Sequence, residues 1–130
     1  MLRSGVDMIE VERIDHAILR HGHRFFERFF TQQELIDANG RTTALAARFA
    51  AKEAVAKALG TGIGEVGWRE IEILTGARRD PRLRLHGDAL RVARALGLTR
   101  WSISLSHTHE HAVAVAVAMG APDDDYGDEA

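Results

Sequence analysis

The chain has 130 residues and a mass of 14.4 kDa, and 45% of its residues are hydrophobic and 28% charged, as in one ordinary globular domain. It has no cysteine, which excludes a disulfide framework and a thiolate metal site and favours a cytoplasmic protein. No apolar run approaches the roughly 20 residues of a membrane span, and residues 1–10 lack the apolar core of a signal peptide, so we expect no membrane association.

The last nine residues of the chain differ in charge from the rest. The net charge is −2, but five of the nineteen acidic residues lie in residues 122–130, where no base occurs. Residues 1–121 therefore carry seventeen basic and fourteen acidic side chains, a net charge of +3. This charge is too weak to indicate nucleic-acid binding and is compatible with an acidic protein partner. We expect one domain over residues 1–120 and an acidic disordered tail over residues 121–130.

The N-terminal region is predicted to form a strand followed by a helix. Arg3 to Met8 is apolar in places and contains the acid Asp7, which indicates a short strand. Apolar residues then recur at helical spacing from Ile9 to Leu19. Asp7 lies near the start of this helix, where it is either a helix cap or a functional carboxylate.

Four arginines recur along this helix and the segment that follows it: Arg13, Arg20, Arg24 and Arg28. If the helix passes Gly22 with little break, they lie along one broad side. Such a row is commonly a solvated face. However, only Glu27 is interleaved among the last three arginines, which favours docking of an acidic partner.

The next segment is predicted to be structural. Four phenylalanines form one apolar face typical of a core or a subunit interface: Phe25, Phe26, Phe29 and Phe30. Thr31 and Glu34 match a capping box, which predicts a short helix that ends near Asn39 and Gly40.

The stretch from Arg48 to Gly64, RFAAKEAVAKALGTGIG, holds the only two lysines of the chain. Lysine offers a compact charge suited to phosphate oxygens. Glu53 lies between Lys52 and Lys57 on a predicted helix, and a glycine loop from Gly60 to Gly64 follows. Two interpretations stay open, an Ala-rich helix with one Glu53–Lys57 surface pair or a polyphosphate site.

One face of this predicted helix is made of alanines and has no bulk, which suits close packing against another element. It consists of Ala46, Ala47, Ala50, Ala51, Ala54 and Ala58. We expect this face to pack closely against another element.

The C-terminal half is predicted to be mainly strands. Alternating apolar residues indicate strands at Trp68 to Leu74, around Leu83 and Leu85, at Arg100 to Ser106 and at His111 to Met119, with a helix at Ala89 to Leu96. In the first of these strands, Glu70 and Glu72 are expected to lie on the face opposite the buried isoleucines. The Ala/Val alternation of the last strand predicts burial on both of its faces.

Three histidines lie between the last two strands, at His107, His109 and His111. In an extended chain they share one face, which permits a zinc or nickel site, whereas a hairpin turn would separate them. A histidine at a strand end is equally suited to bind a phosphate or to act as an acid or base. The alternative function is therefore a non-catalytic metal- or nucleotide-binding module.

Two motifs carry a resemblance to a known family. One is Gly5-Val6-Asp7 followed by Glu12 and Arg13, and the other is Arg48 to Ala54 with Lys57-Ala58 and the glycine loop. A weaker match is Ser104 to Thr108. From about Ser4 to Met119 the chain resembles the holo-[acyl-carrier-protein] synthases, the short trimeric branch of the 4′-phosphopantetheinyl transferases.

The resemblance implies an α+β fold, mainly antiparallel sheet packed with a long N-terminal helix and the Ala-rich central helix. It implies transfer of the phosphopantetheine arm from coenzyme A to a serine of an acyl carrier protein, as in fatty acid biosynthesis, with release of adenosine 3′,5′-bisphosphate. In that family the residues matching Asp7 and Glu53 bind Mg²⁺ with the pyrophosphate, an oxygen set that this ion prefers. Lys57 completes the implied catalytic set. The general base stays open between Glu53 and a metal-bound water.

The same resemblance implies further contacts. The cofactor-binding residues would be Arg48 for the 3′-phosphate, Lys57 and His107 for the pyrophosphate, and Gly60, Thr61, Gly62 and Thr108. Arg13, Arg20, Arg24 and Arg28 would dock the acidic helix of the carrier protein, and the sites would lie between the subunits of a homotrimer. Arg3 stands where many members have a glycine, so the first strand is expected to be shorter or differently packed.

Overall fold

A computed structural model describes residues 1–120; the predicted acidic tail lies outside the described residues. The elements in chain order are β1 (Leu2–Glu10), α1 (Val11–His21), α2 (His23–Phe29), α3 (Gln32–Ala38), α4 (Thr42–Leu59), a 3₁₀ turn (Trp68–Glu70), β2 (Ile71–Thr75), β3 (Pro81–Leu85), α5 (Gly87–Ala95), β4 (Arg100–His107) and β5 (His111–Met119). The expected α+β class is confirmed. In the described part of the chain, no helix is long and apolar enough to cross a membrane. The cytoplasmic location stays a prediction.

The strands form two antiparallel units. β5 is the central strand of a three-stranded sheet in the order β1-β5-β4, and β2 and β3 form a separate hairpin. In the larger sheet, Gly5 pairs with Ala116 and Asp7 with Ala114. Alanines on one face of β5 are fully buried under α4, at Ala112, Ala114, Ala116 and Ala118. The sheet therefore presents its small residues to the central helix.

The alanine face of α4 packs directly on β1, as predicted. Ala46, Ala47, Ala50, Ala51, Ala54 and Ala58 are all buried. At the crossing point, a β-carbon added to Gly5 would overlap the carbonyl oxygen of Ala54 and lie 3.0 Å from the amide nitrogen of Ala58. Only glycine permits this approach, because any side chain there would have to displace helix backbone. The contact places Asp7, two residues along β1, beside the same helix.

The N-terminal helix differs from its prediction. A continuous helix through Gly22 is wrong, since this residue has φ 58° and ψ −130° and separates α1 from α2. A shortened first strand is also wrong, because β1 begins at Leu2 and Arg3 pairs with Ala118. The capping box is confirmed: the Thr31 hydroxyl accepts from the Glu34 amide, and the Glu34 carboxylate accepts from the Thr31 amide.

Two burial patterns were also predicted wrongly. The segment before β2 is a 3₁₀ turn, and Glu72 is buried, where it accepts hydrogen bonds from Thr31 and His86. In the described chain, β5 is buried on one face only. Val115 and Val117 lie on its other face and are 39% and 37% exposed. Periodicity gave the strand positions, but which face is covered depends on the other elements.

We predict that Gly5→Ala destabilises the protein by about 1 to 3 kcal/mol, because the added methyl group forces α4 away from β1. The midpoint of chemical denaturation, followed by circular dichroism, measures this loss. Gly62→Ala is the matched control, since a β-carbon at Gly62 meets no atom within 4 Å. Equal stability of the two variants would contradict the proposed importance of the crossing point.

Candidate active site

Asp7 and Lys57 join β1 to the last turns of α4. The Lys57 ammonium donates to the Asp7 carboxylate at 3.2 Å and to the Val6 carbonyl oxygen at 2.8 Å. The predicted Glu53–Lys57 ion pair is not formed among residues 1–120, where Lys57 pairs with Asp7. The lysine therefore spans the helix–strand junction instead of bridging one turn of its own helix.

Glu53 faces the same junction, and its electrostatic environment is unfavourable for a carboxylate. Burial raises the pKa of Glu53 above its ordinary value, the Asp7 carboxylate raises it further, and Lys57 offsets part of this effect. Two carboxylates with one lysine leave a net negative charge, so a cation placed between them would relieve the repulsion. Carboxylate oxygens are hard ligands of the kind that Mg²⁺ prefers. Asp7 and Glu53 thus fit a divalent cation.

These carboxylates lie at one side of a cleft of about 920 Å³ that α1 and α2 border. Its basic lining consists of Arg13, His21, Arg24 and Arg28, and its apolar lining includes Ile14, Phe25, Phe29 and Phe49. The structure therefore brings three of the four predicted arginines together with Asp7 and Glu53.

Arg20 is the exception among the four arginines, since among the described residues it does not line this cleft. Arg20 lies on α1 with Arg13, and the break at Gly22 separates both from Arg24 and Arg28 on α2. His21 lines the cleft instead and was missed, because the spacing of seven residues between Arg13 and Arg20 favoured Arg20.

Arg48 and His107 line a different cleft, of about 630 Å³, together with Thr75. The Arg48 guanidinium is buried; it donates to the Ile73 carbonyl oxygen at 3.1 Å and to the Thr75 hydroxyl at 2.7 Å. Burial lowers the pKa of Arg48, but an arginine stays charged. Within one chain, Arg48 and His107 therefore lie in a different cleft from Asp7 and Glu53.

The glycine loop begins where α4 ends. Gly60 adopts the left-handed conformation with φ 79°, and its amide donates to the Lys57 carbonyl oxygen at 3.0 Å. The Thr61 amide donates to the Ala56 carbonyl oxygen at 3.2 Å. In the described chain, the buried Thr61 hydroxyl has no hydrogen-bond partner. Since a buried polar group without a partner is unfavourable, this hydroxyl is available to a ligand.

Lys52 has a structural role, and its grouping with Lys57 at a phosphate site is wrong. The Lys52 ammonium is fully buried and donates to Glu34 at 2.8 Å and to the carbonyl oxygens of Trp68 at 2.9 Å and Ile71 at 2.6 Å. Burial lowers the pKa of Lys52 while Glu34 raises it. All three N–H groups have acceptors, so the ammonium is engaged within the fold.

A tight turn separates the histidines. Thr108 shapes it: its hydroxyl accepts from the amides of Glu110 at 3.2 Å and His111 at 3.1 Å, and its own amide donates to the His111 carbonyl oxygen. His107 ends β4 and His111 begins β5. Across residues 1–120, no group of three histidine or acidic side chains is placed to hold a metal. The alternative metal-binding module therefore lacks a ligand set there.

Known proteins resemble this chain over most of its length. The family model for the 4′-phosphopantetheinyl transferase superfamily matches residues 3–116. The holo-[acyl-carrier-protein] synthase of Herpetosiphon aurantiacus is 46% identical over 112 residues, which cover 81% of this chain and 88% of that protein. The enzyme of the same name from Moorella thermoacetica is 46% identical over 108 residues, covering 81% and 84%.

Solved structures show the same likeness. The Helicobacter pylori holo-[acyl-carrier-protein] synthase in complex with coenzyme A superposes with a TM-score of 0.82 at 29% identity, covering 89% of this chain and 99% of that one. The Neisseria meningitidis holo-[acyl-carrier-protein] synthase gives a TM-score of 0.82 at 35% identity, covering 90% and 97%.

We predict that Glu53→Gln stabilises the fold at neutral pH. The raised pKa means that the folded protein disfavours the Glu53 carboxylate, a cost that is present above the folded pKa and vanishes below the ordinary value near 4.5. Denaturation midpoints should therefore be higher for the variant at pH 8 and equal at pH 4. Glu65→Gln, at an exposed position, is the control. A lower midpoint for Glu53→Gln at pH 8 would show that the carboxylate stabilises the fold.

Proposed function

We propose that this chain, which belongs to the 4′-phosphopantetheinyl transferase superfamily, transfers the phosphopantetheine arm of coenzyme A to a serine of an apo acyl carrier protein. The products are the holo carrier protein, used in fatty acid biosynthesis, and adenosine 3′,5′-bisphosphate. The protein is an enzyme of the holo-[acyl-carrier-protein] synthase type. The observation that carries the assignment is one cleft in which Asp7 and Glu53 lie beside three arginines.

The two carboxylates are the proposed holders of Mg²⁺. Burial and, after it, the Asp7 carboxylate raise the pKa of Glu53, and a cation that relieves both effects supports this assignment. When bound, the ion would neutralise charge on the pyrophosphate as the phosphoanhydride bond breaks. Asp7 and Glu53 reach the site from different elements, so the close packing of β1 on α4 is what keeps them together.

Lys57 is the proposed pyrophosphate ligand. Its ammonium is exposed and has three N–H groups, of which two donate to Asp7 and Val6. The third can donate to a phosphate oxygen and stabilise the negative charge of the leaving group.

In the transfer step, the serine oxygen attacks the β-phosphorus of coenzyme A. The bond between the β-phosphorus and the α-phosphate oxygen breaks, adenosine 3′,5′-bisphosphate leaves, and the serine proton goes to a base. Glu53, whose carboxylate lines the cleft, is the proposed proton acceptor.

The basic side of the large cleft is the proposed docking surface for the carrier protein. Arg13, Arg24 and Arg28 are exposed there and can pair with an acidic helix. Arg20 is exposed as well and, lying outside the cleft lining, is proposed as an outer contact. The docking surface adjoins Asp7 and Glu53, so a docked carrier would bring its serine to the reacting phosphate.

The arrangement of the two clefts favours a homotrimer with sites between subunits. Arg48 and His107 lie in a cleft without Asp7 or Glu53, so a single chain does not unite the proposed nucleotide contacts. In addition, the outer face of the larger sheet exposes apolar side chains: Leu2, Val6, Met8, Val115, Val117 and Met119. An apolar sheet face of this kind is typical of a subunit interface. We propose that it contacts two further copies of this chain.

We expect the purified protein, incubated with apo acyl carrier protein, coenzyme A and Mg²⁺, to add a phosphopantetheine mass to the carrier. Mass spectrometry of the carrier measures the product. Chelation by EDTA or Asp7→Ala should reduce the rate at least about a hundredfold, because the charge on the pyrophosphate is then unbalanced. Glu65→Ala is the control variant. An unmodified carrier in the complete mixture would refute the proposed activity, and full activity in EDTA would refute the metal assignment.

Mixed trimers test the shared site. We expect Asp7→Ala and His107→Ala to be impaired separately and to recover up to about a quarter of wild-type activity when refolded or expressed together, the fraction of random interfaces that join two intact halves. The transfer rate of purified mixed trimers is the measurement, and each variant mixed with itself is the control. If mixed trimers of proven composition recovered no transfer activity, both residues would act within the site of one chain, which would contradict the shared site.

A further inference from the structure

Arg3 reaches from the sheet to the end of the central helix. Its side chain lies on the face of β1 that also carries Gly5 and Asp7, since alternate residues of a strand share a face. The Arg3 Nε donates to the Ala58 carbonyl oxygen at 2.9 Å. The Arg3 Nη2 lies beside Gly60, where an added β-carbon would overlap it. One guanidinium therefore contacts both the last turn of α4 and the first residue of the glycine loop.

This position suits a guanidinium on two grounds. Ala58 is one of the last residues of α4, whose carbonyl groups have no partner within the helix. A cation at a helix C-terminus is also favoured by the helix dipole. The Arg3 backbone pairs with Ala118 in the sheet. The hydrogen bond from its guanidinium therefore fixes the end of α4 relative to the sheet.

The glycine loop has few other supports. At its start, the amides of Gly60 and Thr61 donate to α4, and at its end the Gly64 amide donates to the Val66 carbonyl oxygen at 3.0 Å. Between them, a β-carbon at Gly62 would meet no atom within 4 Å. The loop conformation therefore depends on Ile63, which packs against the hydrophobic core and forms a bridge with Val66, and on its two ends. Arg3 packs against the first of these ends.

We propose that Arg3 is a positioning residue for coenzyme A. By packing its guanidinium over Gly60 and donating to the Ala58 carbonyl oxygen at the end of α4, it holds the loop from Gly60 to Gly64 and the Thr61 hydroxyl in place for the nucleotide. The inference rests on the proposed transferase function, because only that function assigns the loop to coenzyme A. Nothing in this role requires Arg3 to touch the ligand.

Whether Arg3 stabilises the start of the glycine loop can be tested without measuring activity. We expect Arg3→Ala to accelerate amide hydrogen exchange at Gly60 and Thr61 about fivefold or more, because the last turn of α4 loses its brace. Arg94→Ala is the matched control, since Arg94 lies exposed in the last turn of α5. It should leave exchange at Gly60 and Thr61 unchanged. Unchanged exchange in Arg3→Ala would overturn the proposal.

The link to coenzyme A is tested kinetically. Arg3→Ala should raise the KM for coenzyme A about fivefold while kcat and the KM for the carrier protein stay the same, a split that general destabilisation would not produce. Arg3→Lys should recover most of the loss, because an ammonium can still donate to Ala58. Faster exchange with an unchanged KM for coenzyme A would overturn the positioning role. If the wild-type protein transferred nothing, the proposed function would fail, while the exchange result would still decide whether Arg3 braces the loop.

Discussion

The close crossing of β1 and α4 is the contact on which the rest of the structure depends. It is possible because Gly5 has no side chain and because the helix presents only alanines to the sheet. Because the backbones of α4 and β1 are in contact, neither element can shift toward the other. Residues one helical turn or two strand positions from the crossing point are therefore held in place as well. Asp7 and Glu53 come from distant parts of the sequence and face each other for this reason. The same packing sets the position of Lys57.

A second constraint holds the helix from its other side. Lys52 and Glu34 form a fully buried ion pair, and Glu34 also accepts from the Ile73 amide at 2.8 Å. A buried charge pair contributes little net stability, but removing one partner leaves an uncompensated charge. The pair therefore ties α3, α4 and β2 into one arrangement. Glu53 and Lys52 are adjacent in sequence, yet one faces a cleft and the other the core.

On the same helix, one acidic residue is placed against the stability of the fold. Glu53 stands where burial and a second carboxylate both oppose its charge. A chain selected for stability alone would avoid a carboxylate there, which is why a perturbed acid in a cleft indicates function. The arginines that line the same cleft carry the opposite charge.

The strand and helix order, the capping box at Thr31 and the alanine face of α4 could be predicted from the sequence, because they follow from local periodicity and capping chemistry. The sequence also singled out Asp7, Glu53 and Lys57 through the motifs that they share with a family. The burial of Lys52 and Glu72 and the separate cleft of Arg48 and His107 could be seen only in the folded chain. These features depend on which helices and strands pack against each other. Helical or strand periodicity shows which residues share a face, but not which element covers that face.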